Sequence, residues 1–156
     1  MHKSIHFIAL FLLMLITGVF WGTWFTLTRS LEDFSSSEFT HIGKVIIANV
    51  AWPMRIIMPS GIIFMLWSLW IYRNKKSPEF YFAVFSFVLL IAVLLMTLLV
   101  LVPIDNEIKT WTPETIPANW EAMRSTWKNF HAARTFASLL SFGFFSFVFL
   151  PGKKTI

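Results

Sequence analysis

Four apolar runs, at residues 5–25, 56–72, 80–102 and 132–150, divide this chain and decide its fold class. Each is near the roughly 20 residues that a helix needs to cross a hydrocarbon core about 30 Å thick. A segment in lipid must satisfy its own backbone hydrogen bonds, so each run is expected as a helix; the two-residue alternation of membrane barrel strands is missing. Composition agrees, with 56% of the 156 residues hydrophobic and only 13% charged, too apolar for a water-soluble domain of this size. The expectation is an all-α integral membrane protein, an up-and-down four-helix bundle forming one domain over residues 1–156.

An even number of spans puts both termini on one side of the membrane, together with the loop at 73–79. That side carries Lys3, Arg73, Lys75, Lys76, Lys153 and Lys154 against Glu79. The positive-inside rule assigns it to the cytoplasm and turns the long loops at 28–50 and 103–130 outward. The remaining basic residues are balanced by acids, and the formal charge of +5 gathers into no basic patch, so no nucleic-acid partner is expected. Cysteine is absent, which removes disulfides and thiolate chemistry. His41 and His131 stand far apart in sequence, and no histidine pair at helical spacing faces the outer loops, so no metal site is expected.

The first run has a charged start, but it is long for a signal sequence and its end, GVFWGTWF, lacks small residues at a cleavage site. It reads as a retained helix. Gly18, Gly22 and Thr26 form a small-residue ribbon, matched by Ala133, Ala137 and Ser141 on the fourth run, a pattern that predicts close packing of the two helices. In the first outer loop, Ser35 followed by Glu38 is a capping box, so a helix should start there and carry Phe39, Ile42, Val45 and Ile46 toward the bilayer. Pro53 and Pro59 predict a kink or break around residues 52–61. Arg55 sits within it, either reaching to the interface or lining a cavity with Asn49.

The polar island PIDNEIKTWTPETIPANWEAMRSTWKNFHAAR, residues 103–134, separates the last two runs. The third span should end at Pro103, leaving Asp105, Asn106 and Glu107 at the outer surface. Beyond Pro113 and Pro117 a long fourth helix can run from about Ala118 to Leu150, roughly 50 Å at 1.5 Å per residue, so its first turns form a helical outer cap. Trp120, Arg124, Trp127, His131 and Arg134 recur at spacings of four and three, which places them on one stripe. Ionisable groups carried to membrane depth are costly and mark candidate sites.

The pattern VPIDNEIKTW from Val102 to Trp111, followed by Trp120, Arg124, Trp127, His131 and Arg134 ahead of the last apolar helix, resembles the anthrone-oxygenase-like membrane proteins. These are small four-span proteins, many of them bacterial, which implies an inner-membrane location. The resemblance implies an oxygenase that converts an anthrone to an anthraquinone with molecular oxygen and with no cofactor, neither metal nor flavin. On that reading His131 is the base, Arg124 and Arg134 stabilise the substrate anion, and Asp105, Asn106, Glu107, Trp111, Trp120, Trp127 and Arg55 shape the pocket for a hydrophobic, anthrone-like or quinone-like aromatic molecule.

Plainer readings stand beside it. Tryptophans crowd membrane interfaces regardless of function. Asp105 or Glu107 could pair with Arg124 or Arg134 and lock the third helix to the fourth, and His131 could simply donate to a backbone carbonyl. The chain would then be a non-catalytic accessory or lipid- or quinone-binding subunit, with membrane lipid and partner membrane subunits against its Phe-rich last span, FASLLSFGFFSFVFL. A transporter is the least supported reading, because no inverted repeat is visible.

Overall fold

The computed structural model describes residues 2–73 and 77–149. Leu150 and the basic residues Lys75, Lys76, Lys153 and Lys154 counted above lie outside them. Helix α1 (His2–Thr26) leads through a 3-10 turn (Thr28–Asp33) into α2 (Ser36–Tyr72); α3 (Pro78–Met96), a π-helical turn (Thr97–Leu101) and α4 (Val102–Thr110) follow in one continuous path; α5 (Trp120–Ser146) closes the bundle and ends in a 3-10 turn (Phe147–Phe149). There are no strands among the described residues. Four helical paths are long and apolar enough to cross a membrane. The protein is an all-α four-helix membrane bundle in which α1, α2, α3 and α5 pack in a ring.

The start of α2 is local chemistry. The Ser35 side chain accepts from the Glu38 backbone while the Glu38 carboxylate accepts from the Ser35 N–H at 2.8 Å, so two of the first turn's free donors are satisfied reciprocally. The two prolines do not end this helix: of the kink or break expected at residues 52–61, the break does not occur, since α2 runs on through Pro53 and Pro59. Each proline leaves one carbonyl four residues back without its donor, but a helix held by packing from Phe39 to Ser68 tolerates both gaps.

The third path likewise passes its expected end. Pro103 cannot donate, and its ring would crowd the carbonyl four residues before it. The wide turn at Thr97–Leu101 relieves that crowding: the Val102 N–H reaches back to the Thr97 carbonyl, a bond over five residues. Pro103 then sits harmlessly in the first turn of α4.

Packing of α1 against α5 is present, but the predicted ribbon does not make it. A side chain placed on Gly18 or Gly22 would meet nothing within 4 Å, and Ala133 is exposed. The contact runs one face over, through Thr17, whose hydroxyl donates to the Ser138 carbonyl at 3.2 Å, and Thr135, whose hydroxyl lies 3.3 Å from the Phe20 carbonyl. Ser141 instead joins α5 to α3 by bonding Ser86. The close glycine crossings are elsewhere: a Cβ on Gly61 would lie 3.0 Å from Ile16 Cδ1, and one on Gly43 3.2 Å from Ile108 Cγ2. The same substitution therefore separates the two kinds of glycine. Gly18→Leu should leave the melting temperature unchanged or raised, whereas Gly61→Leu should lose about 1–3 kcal/mol by overpacking the α1–α2 seam, read by thermal unfolding in detergent.

Two apolar clusters result. One fills the bundle from Ala9, Leu13 and Ile16 to Leu90, Val93 and Phe145. The other lies at the cap end, the end opposite His2 and Phe149, and gathers Leu31, Phe39, Ile104, Ile108, Trp111 and Trp127. At the terminal end His6 lies on α1 against Ser68 Oγ at 2.6 Å and stacks on Tyr72 at 4.7 Å.

Candidate functional site

The π turn sets the register of everything beyond it. An extra residue in the turn rotates the following helix by about 100°, and α4 emerges with Ile104 and Ile108 buried and Asp105 half-buried toward α5. Asn106 and Glu107 face outward; Asn106 accepts from the exposed Lys109 at 3.0 Å. Of the three polar residues at this exit, Asp105 alone enters the site.

On α5 the spacing of four and three does what it predicts. Trp127 is 1% exposed and donates its indole N–H to Asp105 Oδ1 at 2.8 Å. One turn deeper His131 tilts against the Trp127 ring, with centroids 3.9 Å apart. Arg134 follows, with Nη2 3.0 Å from His131 Nδ1 and 3.4 Å from Nε2. A guanidinium only donates, so a hydrogen bond between the two requires a ring nitrogen of His131 that presents its lone pair. Arg134 Nη1 lies 3.4 Å from the Thr97 hydroxyl oxygen, whose own proton goes to the Val93 carbonyl at 2.8 Å. The guanidinium carbon lies 4.4 Å from the centroid of the Phe20 ring of α1.

Arg134 is 7% exposed, yet its Nε–H is buried without a hydrogen-bond partner. Neither does a carboxylate pair with it: among the described residues the ion pair that forms is Lys128–Glu32 at 2.6 Å, on the cap surface. The lock expected between Asp105 or Glu107 and Arg124 or Arg134 is therefore absent. Asp105 meets Trp127 and makes no ion-pair contact with Arg134, although it is close enough to act on the guanidinium electrostatically. A buried cation with an unused donor is an energetic liability that a binding site can turn to use.

The other stripe residues form a layer above. Trp111, Trp120 and Trp127 surround Phe39, at centroid distances of 6.3, 6.2 and 5.9 Å. Arg124 stacks over Trp120 at 4.6 Å and donates to the carbonyls of Leu31 and Phe34 at 3.2 and 3.0 Å, tying down the 3-10 turn. It holds the cap and does not reach His131's partners. Arg55 is exposed and distant from this cluster, in a surface groove with Lys44 and Lys109; Asn49 is not part of that groove. Two shallow grooves of about 260 and 250 Å³ open on the cap, the first beside Trp111 and His41, and neither is lined by His131 or Arg134.

Thr97 and Phe20 were not among the expected site residues, and Phe39 was expected only on the helix that runs from Ser35 toward the bilayer. Pro103 was the available signal for Thr97, since a proline inside an apolar run demands an altered turn before it. Phe20 carries no signal that separates it from the other phenylalanines, and the capping box that places Phe39 on α2 does not show what it packs against.

The sequence model of the family described as anthrone oxygenase matches residues 49–144, which include Thr97, Asp105, Trp127, His131 and Arg134 but neither Phe20 nor Phe39. No curated protein and no solved structure matches the chain.

Proposed function

Because the chain belongs to the anthrone oxygenase family, we propose that it oxidises an anthrone-like or hydroquinone-like aromatic with molecular oxygen, with His131 as base and Arg134 as anion stabiliser. The observation that carries this reading is the unpaired Nε–H of buried Arg134 beside the lone pair of His131. The carbonyl oxygen of an anthrone would take the free donors of Arg134 and draw the guanidinium from His131. The released imidazole then removes a proton from the substrate's methylene carbon, and the negative charge moves onto the oxygen held by Arg134.

The electron-rich anion gives one electron to dioxygen, and the resulting pair joins to form a carbon–oxygen bond. Protonated His131 returns its proton to the peroxide oxygen. Loss of the second carbon-bound hydrogen with cleavage of the oxygen–oxygen bond yields the quinone carbonyl and water, so a CH2 group and O2 become C=O and H2O. Trp127 and Phe20 keep water from the anion, and Asp105 fixes the Trp127 ring through its indole N–H.

A non-catalytic subunit is the second reading, favoured by the closed packing around His131. Oxygen uptake separates the two. With purified protein and an anthrone, catalysis consumes dioxygen and forms quinone in equimolar amounts at a rate proportional to protein. A rate no higher than anthrone autoxidation in the same detergent would favour the subunit.

A further inference from the structure

The surface groove between α2 and α4 has a composition that the oxygenase reading does not use. Lys44, Arg55 and Lys109 line it together with Ile47, Ala48, Ala51 and Trp52. All its ionisable lining residues are basic. Lys44 donates to the Trp111 carbonyl and Lys109 to the Asn106 side chain, both neutral acceptors, so neither cation is ion-paired. No acid on α4 lines the groove: Asp105 is bonded to Trp127 and feels Lys109 only at longer range, and Glu107, two residues from Lys109, lies about 200° around the helix. Ala48 and Ala51 make the floor by leaving room where larger side chains would fill it.

Below the groove the same face of α2 is an apolar track. Trp52, Ile56, Pro59, Ile63, Leu66 and Trp70 recur at spacings of four and three, and all of these side chains are largely exposed, Trp52 at 67% and Trp70 at 59%. Eighteen residues separate the two tryptophans, about 27 Å along the helix, which is close to the hydrocarbon thickness of a bilayer. Tryptophans favour the two interfaces, so Trp52 and Trp70 mark them, and Arg55 sits just under the cap-side interface with its guanidinium able to reach upward to phosphate level.

We propose that this groove holds the headgroup of one anionic phospholipid, with its phosphate between Arg55 and Lys109 and its acyl chains along the α2 track. Attraction of a basic side chain to an anionic lipid surface corresponds to about fivefold in affinity per charge. A single snorkelling arginine would give no headgroup preference; three cations on one concave, acid-free surface do.

Native mass spectrometry of the delipidated protein, titrated with phosphatidylglycerol or phosphatidylcholine, tests this. The expected result is one retained phosphatidylglycerol per chain, weak retention of phosphatidylcholine, and about fivefold weaker binding of phosphatidylglycerol for each of Arg55→Gln and Lys109→Gln, with Arg55→Lys retaining it. Lys109 is exposed on a short surface helix, so its variant remains informative should Arg55→Gln fail to fold. Arg29→Gln removes a charge from another part of the cap, where Arg29 lies over Trp24 and Phe25, and should leave binding unchanged. Equal binding of the two lipids, equal weakening by Arg29→Gln, or displacement by an equal concentration of glycerol 3-phosphate would each overturn the proposal, the last by showing a site for soluble anions.

Discussion

Arg134→Met is expected to abolish substrate-dependent oxygen uptake, by roughly 10²–10³-fold, without lowering the melting temperature. The two readouts together identify the role. Arg134 is buried, makes no ion-pair contact and leaves Nε–H unbonded; its weak contact to Thr97, its bond to His131, the Phe20 ring and the longer-range pull of Asp105 return only part of the cost of desolvating a charge. Replacing such a group by a hydrophobic side chain of similar length is commonly neutral or stabilising by about 1–4 kcal/mol. A residue that costs stability where it stands is suited to another use, and the use proposed above is binding the substrate anion. Arg134→Lys should retain part of the activity, since the charge persists and the planar fork does not. A fall in melting temperature with Arg134→Met, and no loss of oxygen uptake, would make the residue a fastener of α5 to the π turn instead.

The second large effect is structural. Phe39→Ala should destabilise the protein by about 3–5 kcal/mol, because Phe39 is fully buried at the centre of Trp111, Trp120 and Trp127. Those rings would lose their common contact, so the intrinsic tryptophan emission should shift to the red before the bundle itself unfolds. The cap also covers His131 through Trp127, and loosening it should raise the rate at which the substrate reaches the site while exposing its anion to water. Denaturant unfolding followed by fluorescence and circular dichroism checks this: a variant with the parent's stability and emission would show that the cap does not depend on Phe39.

Much of this was legible in the chain because it depends on neighbours in sequence. Ser35 and Glu38 cap α2 through bonds that span three residues, and the Trp127, His131 and Arg134 stripe follows from helical period alone. The misjudged features depend on what stands opposite. The spacing of Gly18 and Gly22 is correct for a tight crossing, yet the rotation of α1 turns them away from α5 and puts Thr17 in the contact. Pro53, Pro59 and Pro103 signal local strain in any sequence; whether a helix breaks, tolerates a missing bond or widens by one residue depends on the packing that holds its two halves in line.

The same division runs through the candidate site. Hydropathy by itself determined four membrane helices, because lipid leaves the backbone no other way to satisfy its hydrogen bonds, and it placed a polar, Trp-rich stripe at the head of the last one. Partner choice was beyond it. That Asp105 bonds Trp127 and not an arginine, that Arg124 ties down the 3-10 turn while Arg134 sinks beside His131, and that Phe20 and Thr97 complete the surroundings were decided by the register of α4 against α5. One extra residue in the π turn sets that register, and hydrogen bonds and close packing are sensitive to fractions of an ångström that no spacing rule contains.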